Sequence, residues 1–456
     1  METTSVEPQV KIISTETVKP FTPTPSHLRT FNLSMLDQIS APLHVSALLF
    51  YNAATQTQAV DITALKTALS ETLSHFYPLA GRCKDESTII CNDEGVTFIE
   101  AHVDCSLSDV LGSCRKLDLL GKFQFFPPKD LLATGKQHVS ELVQLAFQVN
   151  VFVCGGVVIG CYMLHKVLDG TSLGLFFKHW SAIARNSYDD VIQPDFDSTV
   201  AAFPPYHSEQ QEKAPTVIPD DSYYAPNDDN LKIVGKGFVF SDVAVSKLKA
   251  KAASKQVPNP TRFEAVLGFI WEQALAAESA VSAHAEPPVL LFAADIRKRV
   301  GPPLSERSIG NLVANPIAFA ETGFSLPELV AEIHVAIQKV TEEVSRDFQG
   351  DGQAEAILAH RSKLGGYLVG YRPSTYMVSS WCRNGLSEAD FGFGRPRWVV
   401  FPVTDGIVIP PCRNFISLTD YTDSAGDGTV AWIYLEEKEM RVLESNQEFL
   451  GFASQW

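Results

Sequence analysis

Residues 165–170, HKVLDG, place a histidine and an aspartate four positions apart, directly after an apolar run. A neutral imidazole can take a proton from an alcohol or amine as that group attacks a carbonyl. An aspartate can orient such an imidazole or fix the turn around it. With 11 histidines in the chain, chance alone gives about 0.6 such spacings, so the competing interpretation of His165, a satisfied histidine at a strand end, stays open.

Ser172 offers a second candidate chemistry. GTSLG, residues 170–174, fits the G-x-S-x-G nucleophile elbow of serine hydrolases, and a helical pattern follows it. That mechanism needs an acid and then a late histidine, whereas the last histidine here is His360. The expected H-G-G donor loop is also missing, since Cys154 precedes the glycine pair. We favour Ser172 as a first-turn helix residue and keep a serine esterase as the alternative.

A glycine-rich loop surrounds Asp390. Residues 379–400 read SSWCRNGLSEADFGFGRPRWVV, and the glycines beside an aspartate and two phenylalanines predict a tight, closely packed loop. The DFG triplet resembles the magnesium loop of kinases, but neither an H-R-D loop nor a glycine-rich phosphate cover accompanies it, which excludes that activity. We expect Asp390 to hold its loop rather than to do chemistry.

Three lysines form a possible positive stripe. Lys247, Lys251 and Lys255 fall at i, i+4 and i+8, so a continuous helix would place them on one face. In a chain of formal charge −16, such a stripe could attract a phosphorylated ligand. A solvated helix face is the simpler interpretation, and we favour it.

The stretch before His165 must position it. Residues 142–164 are apolar and long enough to suggest a membrane span. We exclude a span because Val143 to Val151 alternate with polar or small residues, a period of two that predicts a strand with one wet or polar face. Gly155 and Gly156 supply the positive φ angles of a tight hairpin, so we predict two antiparallel strands, the second ending near His165.

Hydrophobic spacing predicts the remaining elements that surround these candidates. Helices are predicted at 64–76, 171–185, 261–280 and 325–345, and a strand at 288–297. The proline-rich segment 191–230 predicts a long surface crossover between domains. From about residue 375 the pattern indicates mostly short strands with glycine turns.

Length and composition exclude several classes of protein. A chain of 456 residues with 45% hydrophobic and 20% charged residues predicts a globular protein of two domains. The charge of −16 argues against nucleic acid as a partner. No secretory signal is visible at the N-terminus, and the eight cysteines lack close pairs, so we expect reduced thiols in a cytoplasmic protein, without a metal site or membrane association.

The motifs together resemble the plant BAHD family of acyl-CoA-dependent acyltransferases. HxxxDG in mid-chain and D-F-G-x-G-R/K-P near residue 390 carry the resemblance. TPTPSHLRTFNLSMLDQ, HFYPLAGR, FDSTVAAFPP, IRKRVGPPLSERSIGN and TDSAGDGTVAWIYLEEKEM match further segments of the family in order. The N-terminus and SSWCR are most similar to a branch that includes several alkaloid acetyltransferases.

The resemblance implies a mixed α/β fold of two similar-sized domains, each a mixed β-sheet flanked by helices, with a solvent channel at their interface. Its expected N-terminal domain comprises 1–195 plus about 365–392 and carries HxxxD. A crossover loop follows at 196–225. The C-terminal domain, 226–364 plus about 393–456, would carry most of the CoA site. We expect a monomer.

The resemblance also implies roles for single residues. His165 matches the catalytic base, which deprotonates a hydroxyl as it attacks the thioester, without a covalent acyl-enzyme, metal or resident cofactor. Asp169 matches an aspartate that turns away and pairs with an arginine, for which Arg297 is our candidate. Asp390, with Gly392 and Gly394, would support the site. The CoA co-substrate is expected to be bound by the following residues: Thr261, Arg262, Ser379, Ser380 and Trp381.

Two departures from the family pattern bear on the mechanism. Phe393 stands where the family loop usually has tryptophan, and a phenyl ring has no N–H to donate to an oxyanion. Asp295 stands in place of asparagine and adds a negative charge beside Arg297. Neither change removes the base. The sequence thus predicts an O-acyltransferase using acetyl-CoA on a plant alkaloid or terpenoid alcohol; a fold relative that only binds or regulates is the alternative of another class.

Overall fold

The computed structural model divides the chain into two compact units. Unit one comprises 1–214, 304–312 and 383–409, and unit two comprises 215–303, 313–382 and 410–456. The structure describes residues 8–52, 60–113, 124–131, 138–206, 232–282, 287–321, 323–368, 374–401, 414–423 and 426–456.

The described residues form a mixed set of strands and helices. The strands are β1 Val10–Val18, β2 Thr30–Asn32, β3 His44–Tyr51, β4 Arg82–Cys83, β5 Thr88–Ile90, β6 Val96–Val103, β7 Leu145–Phe152, β8 Val157–Leu164, β9 Ile233–Ser241, β10 Val289–Phe292, β11 Ala294–Asp295, β12 Val313–Ala314, β13 Ile317–Phe319, β14 Thr375–Ser380, β15 Trp398–Val400, β16 Asn414–Asp423, β17 Gly426–Glu436 and β18 Ser454–Gln455. The α-helices are α1 Met35–Gln38, α2 Ile62–His75, α3 Leu107–Ser113, α4 Gly170–Ala184, α5 Asp197–Ala202, α6 Asp242–Ala252, α7 Arg262–Val281, α8 Leu326–Asp347, α9 Gln353–Leu368, α10 Glu437–Ser445 and α11 Gln447–Phe452.

Unit one is built on a six-stranded mixed sheet with the order β1-β6-β7-β8-β3-β15. β6 and β7 run parallel, whereas β7, β8 and β3 are antiparallel neighbours. Aromatic rings of α4 pack on Phe147 of β7, with Trp180 at 5.0 Å between ring centroids. The indole N–H of Trp180 donates to the Leu65 carbonyl of α2 at 3.0 Å, so burial of this large side chain leaves its donor satisfied.

The β7–β8 hairpin confirms the predicted strand pair before His165. β8 ends at Leu164, and Gly155 has φ +80, a conformation that favours glycine. Gly156 serves a different purpose than predicted, because a Cβ there would lie 3.0 Å from the Leu107 side chain. No helix among the described residues is long and apolar enough to cross a membrane.

Of the two predicted alternatives for one face of β7, wet or polar, the structure shows a polar face that is buried rather than exposed to water. Gln148 and Asn150 are 1% and 0% exposed. The Asn150 amide donates to the carbonyls of Phe125 at 2.9 Å and Val158 at 3.0 Å, and Gln148 donates to the Gln124 carbonyl at 2.6 Å. The alternation predicted the strand correctly, but a non-local segment replaces solvent on its polar face.

Unit two contains a seven-stranded mixed sheet with the order β13-β10-β14-β16-β17-β9-β18. β10, β14 and β16 are parallel neighbours, whereas β16, β17 and β9 are antiparallel. The apolar sides of α6, α7 and α8 belong to the same buried cluster as the inner residues of β9, β14 and β16. This core fixes the start of α7 and the end of β14, where the proposed CoA contacts lie.

Several sequence predictions differ from the structure in extent. α6 ends at Ala252, so Lys255 lies beyond the helix and the stripe of three lysines does not form one helical face. The last third contains two strands of 10 and 11 residues, β16 and β17, and two helices, α10 and α11. The predicted crossover includes α5, and its part from residue 207 onward lies outside the described residues.

The division between the units also differs from the expected boundaries. Residues 374–382 belong to unit two rather than to the N-terminal domain, because β14 pairs with β10 and β16. Residues 393–401 belong to unit one, because β15 pairs with β3. The short segment 304–312 also belongs to unit one, which the sequence analysis did not foresee. Strand pairing therefore decides which unit each late segment joins.

We expect Asn150→Ala to lower the free energy of unfolding by about 1–3 kcal/mol, because the carbonyls of Phe125 and Val158 lose a buried donor. The measurement is a urea unfolding curve followed by tryptophan fluorescence. The matched control is Val153→Ala on the same hairpin, a side chain that is 72% exposed, which should stay within about 0.5 kcal/mol of the parent. Equal curves for the two variants would contradict the buried role of Asn150.

Candidate active site

His165 follows β8 directly and precedes α4, and its main chain is held on both sides. Its N–H donates to the Leu43 carbonyl at 2.7 Å. Its own carbonyl accepts from the Asn311 side-chain amide at 3.0 Å. The residue is partly exposed, unlike its neighbours Leu164 and Lys166. A partly exposed residue on a fixed backbone is compatible with a general base, and that role of His165 stays a prediction.

Asp169 caps α4 and turns its carboxylate toward main-chain N–H groups. Oδ1 accepts from Ser172 N–H at 2.8 Å, and Oδ2 accepts from Leu312 N–H at 3.1 Å. The residue is 2% exposed. Two buried N–H donors can stabilise a buried carboxylate and fix the turn that follows His165. The ion pair of Asp169 with Arg297 stays a prediction.

Three consecutive residues of the segment 304–312 are held by side chains of unit one. Ser172 Oγ lies 3.2 Å from both polar main-chain atoms of Gly310. Asp37 Oδ1 accepts from Asn311 N–H at 2.8 Å and from its side-chain amide at 2.9 Å. Asp169 holds Leu312 as described. We call Gly310–Leu312, with Ser172, Asp37 and Asp169, the 310–312 clamp.

Gly310 allows the segment to approach this closely. Its φ is +145, which L side chains rarely adopt, and a Cβ there would lie 2.7 Å from Thr199 Cγ2. Any larger residue would therefore push the segment away from α5 and, with it, Asn311 away from His165. In the sequence, Gly310 and Asn311 stand out only as the last two residues of the family-like segment IRKRVGPPLSERSIGN.

Asp37 is a site residue that the sequence analysis missed. It is 2% exposed in α1, where Ser34 Oγ donates to its Oδ2 at 2.6 Å and caps the helix. Burial raises the pKa of the Asp37 carboxyl to about 6, although hydrogen bonds from Ser34 and Asn311 oppose that shift. The Asp169 charge raises it further. The capping pattern S-x-x-D was visible in the sequence, but its long-range partner was not.

Lys166 ties the same helix to the motif. Its Nζ donates to the carbonyl of Gln38, the last residue of α1, at 2.7 Å and to that of Ser40 at 3.2 Å. It also pairs with Glu86 at 2.6 Å, and its side chain is only 1% exposed. A cation at the carbonyl end of a helix is favourable. Lys166 therefore fixes the HKVLDG turn to the last residue of α1, Gln38, and to Ser40 just beyond the helix.

Asp390 organises the glycine loop. Its Oδ1 accepts from Gly392 N–H at 2.8 Å and Gly394 N–H at 2.9 Å, and both glycines have φ near +97 and +98. Arg185 Nη1 donates to the Asp390 carbonyl at 3.0 Å. Tyr51 is buried, and its hydroxyl donates to the Ala389 carbonyl at 3.0 Å. The Asp390 carboxylate therefore binds the main chain of its own loop, and its role as structural support of the site stays a prediction.

Phe393 is the ring that replaces the usual tryptophan. It packs edge-on against Tyr51 with ring centroids 4.9 Å apart, and it stacks with Phe391 at 5.9 Å. Burial raises the pKa of the Tyr51 hydroxyl well above its usual value, with a smaller contribution from the Asp390 charge. The position is thus used for aromatic packing of the loop, and it offers no donor.

Ser172 occupies the first turn of α4. It is fully buried, and its hydroxyl is engaged with the main chain of Gly310. An esterase nucleophile must be reached by its substrate and paired with a base. The observed position agrees with a packing and hydrogen-bonding role instead.

In unit two, Thr261 and Arg262 begin α7. Thr261 forms a capping box with Glu264, and Glu264 Oε1 lies 2.7 Å from His334 Nδ1. Arg262 reaches the Gly428 carbonyl at 3.3 Å and Asp242 at 3.4 Å. These contacts are long, so the guanidinium is only loosely held and remains suited to an anionic ligand.

Ser379, Ser380 and Trp381 lie at the end of β14 and just beyond it. The main-chain N–H of Trp381 donates to the Leu418 carbonyl at 2.8 Å, which extends the pairing of β14 with β16. Burial raises the pKa of the neighbouring Cys382 thiol to about 12, while Ser380 and the Arg262 charge oppose the shift. The assignment of these residues and of Thr261 and Arg262 to a CoA site stays a prediction.

Arg297 is 2% exposed in unit two, and Asp295 is its contact there. Nη1 of Arg297 lies 3.0 Å from Asp295 Oδ2, and Arg297 N–H donates to Asp295 Oδ1 at 2.8 Å. The aspartate that departs from the family pattern therefore neutralises the buried guanidinium. A buried cation needs such compensation.

Of the three lysines that could form a positive stripe, Lys251 pairs with Glu448.

We expect Asp169→Ala to lower the free energy of unfolding by about 2–4 kcal/mol, because it removes the cap of α4 and leaves the buried Leu312 N–H without this acceptor. Asp61→Ala is the control, since Asp61 caps α2 through an exposed bond to Ala64 and should cost only about 1 kcal/mol. Chemical denaturation measures both. An Asp169→Ala protein that unfolds at the parent's denaturant midpoint would contradict the structural role.

Comparisons with known proteins agree with this architecture. Residues 8–450 match the Transferase family. The chain is 32% identical to akuammiline synthase 2 from Alstonia scholaris, over 98% of this chain and 97% of that protein. It is 32% identical to stemmadenine O-acetyltransferase from Catharanthus roseus, over 96% and 97%. The crystal structure of vinorine synthase superposes with a TM-score of 0.78 at 30% identity, covering 98% and 99% of the two chains.

These matches run nearly end to end and include the strand that precedes His165 and the loop around Asp390. Full-length identity of this size, together with the matching fold, confirms the resemblance that the motifs predicted. The chain belongs to the BAHD branch of the Transferase family and is an acyltransferase.

Proposed function

We propose that this acyltransferase moves an acetyl group from acetyl-CoA to a hydroxyl of a plant specialised metabolite, an alkaloid or a terpenoid, with His165 as general base. The observation that carries the proposal is the state of His165, a partly exposed residue just after β8 whose main-chain N–H and carbonyl are both hydrogen-bonded. An alcohol as acceptor and an acetyl donor agree with the similarity to stemmadenine O-acetyltransferase from Catharanthus roseus.

The reaction follows from the chemistry of these groups. The His165 imidazole accepts the proton of the acceptor hydroxyl as its oxygen attacks the thioester carbonyl. A tetrahedral oxyanion forms and collapses, which breaks the carbon–sulfur bond and releases the CoA thiolate. The imidazolium returns its proton to that thiolate, so the enzyme ends unchanged. The phenyl ring of Phe393 has no N–H to donate a hydrogen bond to the oxyanion. Main-chain N–H groups, a hydroxyl or water must therefore stabilise the oxyanion.

Binding of CoA is proposed for Thr261, Arg262, Ser379, Ser380 and Trp381. The start of a 20-residue helix and a loosely held guanidinium suit phosphate groups. Ser380 and Arg262 both belong to unit two. The family resemblance assigns these residues and His165 to one reaction.

We expect His165→Ala to reduce acetyl transfer by at least about 10²–10⁴-fold, because the general base is lost. The assay measures free thiol released from acetyl-CoA with a panel of alkaloid and terpenoid alcohols, and mass spectrometry detects the acetylated product. Circular dichroism and unfolding curves should match the parent, because both main-chain bonds of residue 165 remain possible. Full activity in this variant would reject His165 as the base.

A fluorophosphonate probe tests the esterase alternative on the same proteins. Because the Ser172 hydroxyl is buried and bonded to Gly310, we expect no labelling of the parent protein. Labelling that disappears in Ser172→Ala would instead support a serine hydrolase.

We expect Arg262→Gln to raise the KM for acetyl-CoA about 5–50-fold with little change in kcat, because a lost phosphate contact weakens binding of the ground state and the transition state alike. Lys247→Gln is the control, since it removes a charge from the exposed face of α6. Initial rates over a range of acetyl-CoA concentrations measure both constants. A larger increase of this KM in Lys247→Gln than in Arg262→Gln would indicate that the lysines of α6, rather than the start of α7, bind CoA.

A further inference from the structure

α1 contains a buried carboxylate that the reaction itself does not use. Asp37 accepts two hydrogen bonds from Asn311, one from the main-chain N–H at 2.8 Å and one from the side-chain amide at 2.9 Å. The same side-chain amide donates to the His165 carbonyl at 3.0 Å. One NH₂ group thus joins the carboxylate to the residue proposed as the base.

The orientation of the Asn311 amide follows from its neighbours. A carbonyl oxygen and an ionised carboxylate can only accept, so the amide must present its nitrogen, with one hydrogen for each of them. A charged acceptor shortens and strengthens such bonds. Asn311 is 4% exposed, so competition from water is small.

We propose that Asp37 is a positioning residue for acyl transfer, which acts through the Asn311 amide to fix the main chain of His165. The proposal rests on the function proposed above. Two contacts support it: Ser34 Oγ holds the other oxygen of Asp37 at 2.6 Å, and Lys166 Nζ holds the Gln38 carbonyl at the end of α1 at 2.7 Å. The whole of α1 is therefore fixed relative to the HKVLDG turn.

The physical consequence concerns kcat rather than binding of CoA. A base that is displaced by about 1 Å can lose up to about 10²-fold in rate, because the proton-transfer geometry is lost. Asp37, Asn311 and His165 all belong to unit one, whereas the proposed CoA contacts belong to unit two. Loss of Asp37 should therefore leave the KM for acetyl-CoA nearly unchanged.

The experiment compares Asp37→Ala, Asn311→Ala, their double variant and the conservative Asp37→Asn. We expect each alanine variant to lower kcat about 10–100-fold, with a KM for acetyl-CoA within about twofold of the parent. The double variant should be no slower than the slower of the two single variants. Each single substitution already breaks the same chain of hydrogen bonds from Asp37 through Asn311 to His165, so the two losses should not add. Asp37→Asn keeps an acceptor oxygen for Asn311 and should recover most of the rate.

Asp93→Ala is the matched control. Asp93 is likewise an aspartate of unit one that accepts from a main-chain N–H, that of Thr24 at 3.1 Å, and from its hydroxyl at 2.6 Å, and it pairs with Arg29 at 3.0 Å. Its loss should lower stability and leave kcat unchanged. If Asp37→Ala fails to fold, Asn311→Ala and Asp37→Asn carry the test.

A second readout does not depend on turnover. In protein labelled with ¹³C-histidine, the His165 ring signal is identified by its absence in His165→Gln. We expect this signal to move in Asp37→Ala and in Asn311→Ala, and to stay in place in Asp93→Ala. A parent-like kcat and an unmoved His165 signal in folded Asp37→Ala would overturn the inference, as would additive losses in the double variant. Activity in His165→Ala would instead reject the proposed function.

Discussion

The burial of two carboxylates on either side of a three-residue segment is the constraint on which the geometry of unit one depends. Asp37 and Asp169 are both 2% exposed, and the Asp169 charge adds to the burial that raises the pKa of the Asp37 carboxyl. Desolvation of a charge is tolerable only when donors replace water. The main-chain N–H groups of Asn311 and Leu312 are such donors, so the clamp stabilises both charges.

The position of His165 follows from that arrangement. Its carbonyl is held by Asn311, its N–H by Leu43, and the turn behind it by Asp169. Nothing in this scheme constrains the imidazole itself to be buried, and the residue stays partly exposed. A rigid backbone with an accessible ring is the usual compromise at a catalytic position, because stability and access make opposite demands.

Local patterns in the sequence predicted local structure well. The period of two in β7 and the glycines after it predicted the hairpin, and helical spacing predicted α2, α4, α7 and α8. The same reasoning failed where a distant segment decides. Asn150 faces Phe125 rather than water, and Asn311 finds Asp37 at a separation of 274 residues. Hydrophobic periodicity does not encode such long-range pairings, so the sequence could not predict the contact of Asp37 with Asn311.

Segment 304–312 has a consequence for how the protein is made. Unit one is assembled from stretches that end at 214, 312 and 409, with β15 completing the edge of its sheet. A nascent chain that has emerged only to residue 214 already carries Asp37, His165 and Asp169, but it lacks the main-chain N–H groups of Asn311 and Leu312 that these two carboxylates bind. Contacts of such long sequence separation form slowly, because a long loop must close first. The contacts of Asp37 with Asn311 and of Asp169 with Leu312 can therefore form only after the middle of the chain has been synthesised.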